Sequence, residues 1–236
     1  MPLHCLSLSP HPASVPRKHS MLLRELLDFF LPPICADCAS PTTGAPLCPR
    51  CEQPLCEPLP RAPRPLAAWH AGVSYEDRAA EWIQRFKYPQ PGFRGLDPAA
   101  DGVAIAWALR AARGCASGAP DAVIPVPLHP RRLRERGFSP PAVLARAIAR
   151  ECGARFDHAA LVRVLDTPSQ TGLSRIARHR NVAHAFRAAR PIPARVWLID
   201  DVATTGATLA SAARVLRRAG AREITAIAAA YRSATR

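Results

Sequence analysis

One stretch constrains the fold of this chain more than any other: Val196-Trp197-Leu198-Ile199-Asp200-Asp201-Val202-Ala203-Thr204-Thr205-Gly206-Ala207-Thr208-Leu209. Arg195 to Ile199 is a short apolar run of strand type that ends on two adjacent carboxylates. A Thr/Gly loop follows. Leu209, Ala212, Ala213, Leu216 and Ala219 then recur at helical spacing until Gly220, and Glu223 to Tyr231 reads as a buried strand. Strand, helix and strand in this order form a βαβ unit, which requires a parallel sheet.

The same alternation runs upstream. Leu66 to Tyr75 suits a strand, and Glu76 to Tyr88 suits a helix with Ala79, Ala80, Ile83 and Phe86 on one face. Asp97-Pro98 supplies an N-cap and a first-turn proline for a helix that Gly114 closes. Asp121 to Leu128 is a proline-interrupted strand leading into a basic loop, Arg131 to Gly137, and Ser139-Pro140 opens a helix to about Arg150. The segment from Arg163 to Arg190 is basic and mostly irregular. The expectation is an α/β fold with a mostly parallel sheet and flanking helices. At 236 residues and 48% hydrophobic, the chain is long and apolar enough for a core, and wholesale disorder is excluded. No apolar run reaches the roughly 18 residues of a membrane span; the best, Met21 to Pro32, carries Arg24, Glu25 and Asp28.

Cysteines at 35, 38, 48 and 51 form two C-x2-C pairs, each able to close one edge of a tetrahedral metal site. Four thiolates favour Zn²⁺, with an iron–sulfur cluster as the alternative. A full set of four cysteine ligands leaves no open position, so the metal is expected to be structural. Cys56 lies close behind and could replace one ligand, while Cys5, Cys115 and Cys152 are isolated and expected to be inert. A helical pattern from Met21 to Phe30 precedes the cysteines and a proline-rich linker from Pro54 to Pro65 follows them. The expected organisation is a tail or over-extended start at 1–20, with Met21 as the alternative first residue, a zinc module at 21–60 and an α/β domain at 61–236. The first 20 residues do not read as a secretory signal, which points to the cytoplasm.

The loop after Asp201 offers backbone N–H groups, hydroxyls and the positive end of a helix to one phosphate, and Gly206 lets the backbone approach it closely. Carboxylates do not face a phosphate favourably. Asp200 and Asp201 must therefore serve ribose hydroxyls, as acceptors, or a divalent cation. The net charge of +14 suits anionic partners, and from Asp121 onward there are 20 arginines against 8 acids. Of the 32 basic residues, only Lys18 and Lys87 are lysines.

The loop closely resembles the phosphoribosyl-pyrophosphate (PRPP) motif of type I phosphoribosyltransferases. That resemblance implies that Asp200 and Asp201 hold the ribose hydroxyls and act in catalysis, that Ala203, Thr204, Thr205, Gly206, Ala207 and Thr208 hold the 5′-phosphate, and that Mg²⁺ accompanies PRPP. The wider set of cysteines, Ile124-Pro125-Val126-Pro127-Leu128, Arg132, Arg136-Gly137-Phe138, Ser169 to Leu173, Arg178, Asn181 and the loop is similar, in this order, to the ComF family. A helix ending in Phe86-Lys87-Tyr88 fits the same pattern. Ser139-Pro140 departs from it, since Asn-Gln would be usual there. Likeness to ComF implies a link to DNA uptake in natural competence and to nucleotide metabolism. Arg132 and Arg136 are candidates for pyrophosphate, the competing reading being a solvated charged turn. Gln170, Arg175, Arg178 and Asn181 belong to a candidate flap, or else to local caps and ion pairs. Two functions stay open: a PRPP-dependent transferase, and a non-catalytic sensor that assists single-stranded DNA handling together with DNA-uptake machinery.

Overall fold

A computed structural model describes residues 33–52, 59–89, 97–116, 118–165 and 185–233. The chain divides into two compact units, 1–48 and 49–236. In the first, the described residues form short turns held by backbone bonds such as Cys35 N–H to the Ser40 carbonyl (2.8 Å) and Thr42 N–H to the Pro33 carbonyl (2.7 Å). The helix expected at Met21 to Phe30 lies outside the described residues.

The second unit contains a five-stranded, wholly parallel sheet. Its strands are β1 (Ala68–Ser74), β2 (Ala122–Pro125), β3 (Arg155–Phe156), β6 (Arg195–Ala203) and β7 (Glu223–Tyr231), ordered β1-β7-β6-β2-β3. A separate antiparallel pair joins β4 (Leu161–Arg163) to β5 (Phe186–Ala188). Among the described residues, five helices connect these strands: α1 (Asp77–Lys87), α2 (Pro98–Arg113), α3 (Pro130–Arg136), α4 (Pro140–Cys152) and α5 (Ala207–Arg218). The central strands β6 and β7 are buried on both faces and accordingly read as near-continuous apolar runs. Alternation along β6 sends Leu198 into the cluster with Leu209, Leu216 and Ile224, under α5. Ile199 and Ile227, at alternate positions, lie on the face covered by α2 and α4.

Local chemistry explains the helix boundaries. Asp97 accepts from the Ala100 N–H at 3.1 Å and Pro98 follows it, as the sequence predicts for the start of α2. The buried face of α1 is Ala79, Trp82, Ile83 and Phe86. Three readings change. The basic segment expected as a loop is the helix α3: His129 caps it by accepting from the Arg131 N–H, Pro130 occupies its first turn, and Gly137 closes it at a φ of 81°. The segment expected to be mostly irregular, Arg163 to Arg190, contains the strand β5, and β4 ends on its first residue; both are too short for any periodicity to reveal. Finally, β6 does not stop before the acids but continues through Ala203, so Asp200 and Asp201 are strand residues.

Gly72 sets how closely β1 approaches α2. A Cβ there would lie 2.1 Å from the Trp107 carbonyl oxygen, a backbone atom that cannot rotate away, and Arg110 donates to the Gly72 carbonyl from the same helix. Gly72→Ala is therefore expected to force α2 off the sheet and lower unfolding stability by about 2–3 kcal/mol in urea denaturation. An unchanged midpoint would contradict this packing.

Candidate functional site

The site lies at the carboxyl end of β6, where a parallel sheet opens toward the loops that follow its strands. Ala203 closes the strand, Thr204 to Gly206 bend the chain, and α5 begins at Ala207. Gly206 occupies the N-cap position at φ 71° and ψ 9°, the left-handed region. A Cβ there would lie 2.6 Å from Pro63 Cγ and 3.2 Å from Trp69 Cζ3, so both conformation and space demand glycine. The Thr205 hydroxyl accepts from the Ala207 N–H at 3.4 Å. Behind the loop, Trp69 donates to the Pro60 carbonyl at 2.6 Å and meets Tyr231 edge to face at 5.5 Å. The last residues of the proline-rich linker thus wall the loop.

The two acids share one environment. Asp201 is buried and its own N–H donates to Asp200 Oδ1 at 2.9 Å. Lys87, the last residue of α1, places Nζ 2.9 Å from Asp201 Oδ1. Burial, then the charge of Asp201, pushes the Asp200 carboxyl up to about 7, and Lys87 and Arg163 offset only part of that. Burial alone would lower the Lys87 ammonium, but the carboxylates of Asp201 and Asp200 outweigh it and hold it above its usual range. Ionised, each carboxylate accepts at both oxygens; protonated, it keeps part of that capacity and gains one O–H to donate.

Of the basic candidates, Arg136 sits over the Tyr88 ring at 4.7 Å and donates to Tyr88 Oη at 3.1 Å, while Arg132 is half-buried on α3. Phe138 meets Phe86 edge to face at 6.2 Å. Gln170, Arg175, Arg178 and Asn181 lie outside the described residues, as does Cys56. Sequence reasoning placed Lys87 and Arg163 in no role at the acids. Lys87 had a signal, as one of two lysines among 32 basic residues, whereas Arg163 is delivered by a three-residue strand that leaves none.

In the cysteine cluster, the Sγ atoms of Cys35, Cys38, Cys48 and Cys51 all lie within 4.8 Å of one another. Cys38 and Cys48 are 3.6 Å apart, too far for a disulfide and close to the about 3.8 Å edge of a tetrahedron with Zn–S bonds of about 2.3 Å. Burial would raise the Cys35 thiol, yet backbone bonds involving Cys48, Cys38 and Asp37 bring it below the usual value, which favours the thiolate a metal needs. Arg78 Nη1 stands 3.7 Å from Cys51 Sγ. These residues fit a closed four-thiolate metal site. Cys115, by contrast, is pushed up to about 12 by burial, and Cys152 is also raised, so both are unreactive thiols.

A parallel sheet with flanking helices, whose central strand carries an acid pair just ahead of a glycine-bent loop, together with a four-cysteine cluster, defines an α/β protein with a metal-binding module. No family model matches the chain. It is 32% identical over 196 residues to DNA utilization protein YhgH of Shigella flexneri and of Escherichia coli K12, covering 80% of this chain and 86% of each relative. Competence protein F of Haemophilus influenzae is 38% identical over 109 residues, 44% of this chain and 48% of that protein. The chain belongs to the ComF family, in which these relatives fall. Among solved structures, the glutamine PRPP amidotransferase from B. subtilis, complexed with ADP and GMP, is similar at a TM-score of 0.41 and 20% identity over 61% of this chain and 30% of that one. That likeness is too slight to say anything of substrate.

Because the Asp200 carboxyl stands near 7 in the folded chain and near 4 when unfolded, the folded state binds the extra proton, and stability is lost as pH rises between those values. Asp200→Asn should leave the melting temperature unchanged near pH 4 and raise it at pH 8, by roughly 2–4 °C for each kcal/mol of repulsion relieved. Calorimetry showing no gain at pH 8 would contradict the crowding of the two acids.

Proposed function

We propose that the chain binds PRPP at the end of β6. The observation that carries this reading is the pairing of Asp200 and Asp201 with a left-handed Gly206 at the start of α5. Ala203 to Thr208 would surround the 5′-phosphate with N–H groups and hydroxyls, while the two carboxylates accept from the ribose hydroxyls. Arg132 and Arg136 on α3 would face the pyrophosphate, and Gln170, Arg175, Arg178 and Asn181 would close over it. Mg²⁺, bound with PRPP, would neutralise charge on the pyrophosphate.

In the transferase reading, the C1–O bond breaks, pyrophosphate leaves with the electron pair, and an acceptor nitrogen forms the new bond to C1. Asp200 and Asp201 act as catalytic residues by holding the ribose and favouring a cationic ring, and the arginines take the growing negative charge. The sensing reading is favoured by the names of the relatives, DNA utilization protein and competence protein. There PRPP reports the nucleotide state to a protein that assists single-stranded DNA uptake, with its arginine-rich second half on the strand. Cys35, Cys38, Cys48 and Cys51 would hold a structural Zn²⁺, residues 21–60 would act as a module beside the 61–236 domain, and the cytoplasm would be its compartment.

Titration calorimetry with PRPP and Mg²⁺ should give saturable binding that falls at least tenfold in the Asp200→Asn, Asp201→Asn double variant. Unchanged affinity would remove the site assignment. In the same preparation, release of pyrophosphate with a panel of bases separates turnover from sensing, and metal analysis should read one zinc per chain.

A further inference from the structure

The sequence uses lysine twice against thirty arginines, and Lys87 is the one lysine among the described residues. It stands at the acid pair. An arginine there would grip a carboxylate through two parallel N–H bonds and hold it, whereas an ammonium is a compact charge on a flexible stem that can change partners. The end of α1 also touches both halves of the site. Lys87 Nζ lies 2.9 Å from Asp201 Oδ1 on β6, Tyr88 Oη accepts from Arg136 of α3 at 3.1 Å, and Phe86 packs against Phe138 just beyond α3. Lys87 therefore lies on the segment that links the paired acids to the basic helix.

We propose that Lys87 is a ligand-binding residue whose ammonium passes from Asp201 to the diphosphate of PRPP as Asp201 takes a ribose hydroxyl. This rests on the function proposed above. The chemistry of the ligand supports it: PRPP carries its diphosphate on the ring carbon next to the diol, so a cation in contact with the diol's acceptor is within one side-chain swing of the diphosphate. The ammonium keeps an anionic partner at each stage, Asp201 before binding and the diphosphate afterwards, and a ribose hydroxyl takes its place as the donor to Asp201. Asp201, Asp200 and Tyr75 are the groups that share its field, Arg163 acts on the neighbouring Asp200, and the acids hold the ammonium charged.

The test compares PRPP, inorganic pyrophosphate and ribose 5-phosphate by calorimetry at pH 8, in the intact chain and in Lys87→Gln, which keeps a hydrogen-bond donor for Asp201. The expected result is a loss of tenfold or more for PRPP and pyrophosphate, with ribose 5-phosphate changed less than threefold. Equal losses for all three, or no loss for the diphosphates, would overturn the proposal. A second measurement needs no variant: with lysine labelled at Nζ, the chain gives two ¹⁵N signals, and the Lys87 signal should move on addition of pyrophosphate. A stationary signal at saturation would overturn the proposal as well. A chain that binds pyrophosphate through Lys87 but not ribose 5-phosphate would sink the function proposed above, whereas one that binds PRPP equally well as Lys87→Gln would sink only the role of Lys87.

Discussion

Two carboxylates adjacent in sequence, in a strand covered by helices, cannot both stay ionised without a cation beside them. In this chain the cation is Lys87, and its 2.9 Å contact with Asp201 is the interaction around which the rest of the site is arranged. It fixes the end of α1 against the end of β6 and so places Tyr88 next to Arg136. Asp200, raised to about 7 by burial and by the charge of Asp201, is brought down only in part by Lys87 and, more weakly, by Arg163. Such a cluster opposes folding above neutral pH. A fold keeps it where the same oxygens have another task, and two carboxylates beside a glycine-bent helix N-terminus have the chemistry to read a diol attached to a phosphate.

Much of this was legible from the residues. Glu223 to Tyr231 is the final strand residue for residue, and the Asp97 cap and Gly114 closure of α2 follow directly from side-chain chemistry. The cysteine spacing announced a cluster that the structure brings within 4.8 Å. What local pattern could not reveal was anything set by tertiary contact. The strands β4 and β5 are three residues each and depend on pairing with one another, so Arg163 gave no sign that its charge would act on Asp200. The helix α3 has no buried residue and hence no apolar stripe; only its cap, first-turn proline and terminal glycine mark it. The wall behind Gly206 was hidden for the same reason, since Pro60 and Pro63 read as linker until Trp69 and the loop are seen against them.

The arginine excess takes on a different meaning beside this site. Several arginines are engaged in structure: Arg190 and Arg155 pair with the buried Asp157, Arg113 with Glu151, and Arg110 with Glu52 next to the last cysteine. Charge of this kind holds the scaffold and leaves the net positive surface as a general attraction for polyanions, without choosing among them. Selection among anions has to come from the acid pair, because a carboxylate repels phosphate and rewards hydroxyls.

The claim that Asp200 and Asp201 read a vicinal diol beside the phosphate loop is tested most directly by comparing ribose 5-phosphate with 2-deoxyribose 5-phosphate, which differ by one hydroxyl and carry the same phosphate. Calorimetry is expected to give at least a tenfold preference for the ribose compound, the scale expected when a buried acceptor is left without its donor. Equal affinities would mean that the acids serve something other than a sugar diol.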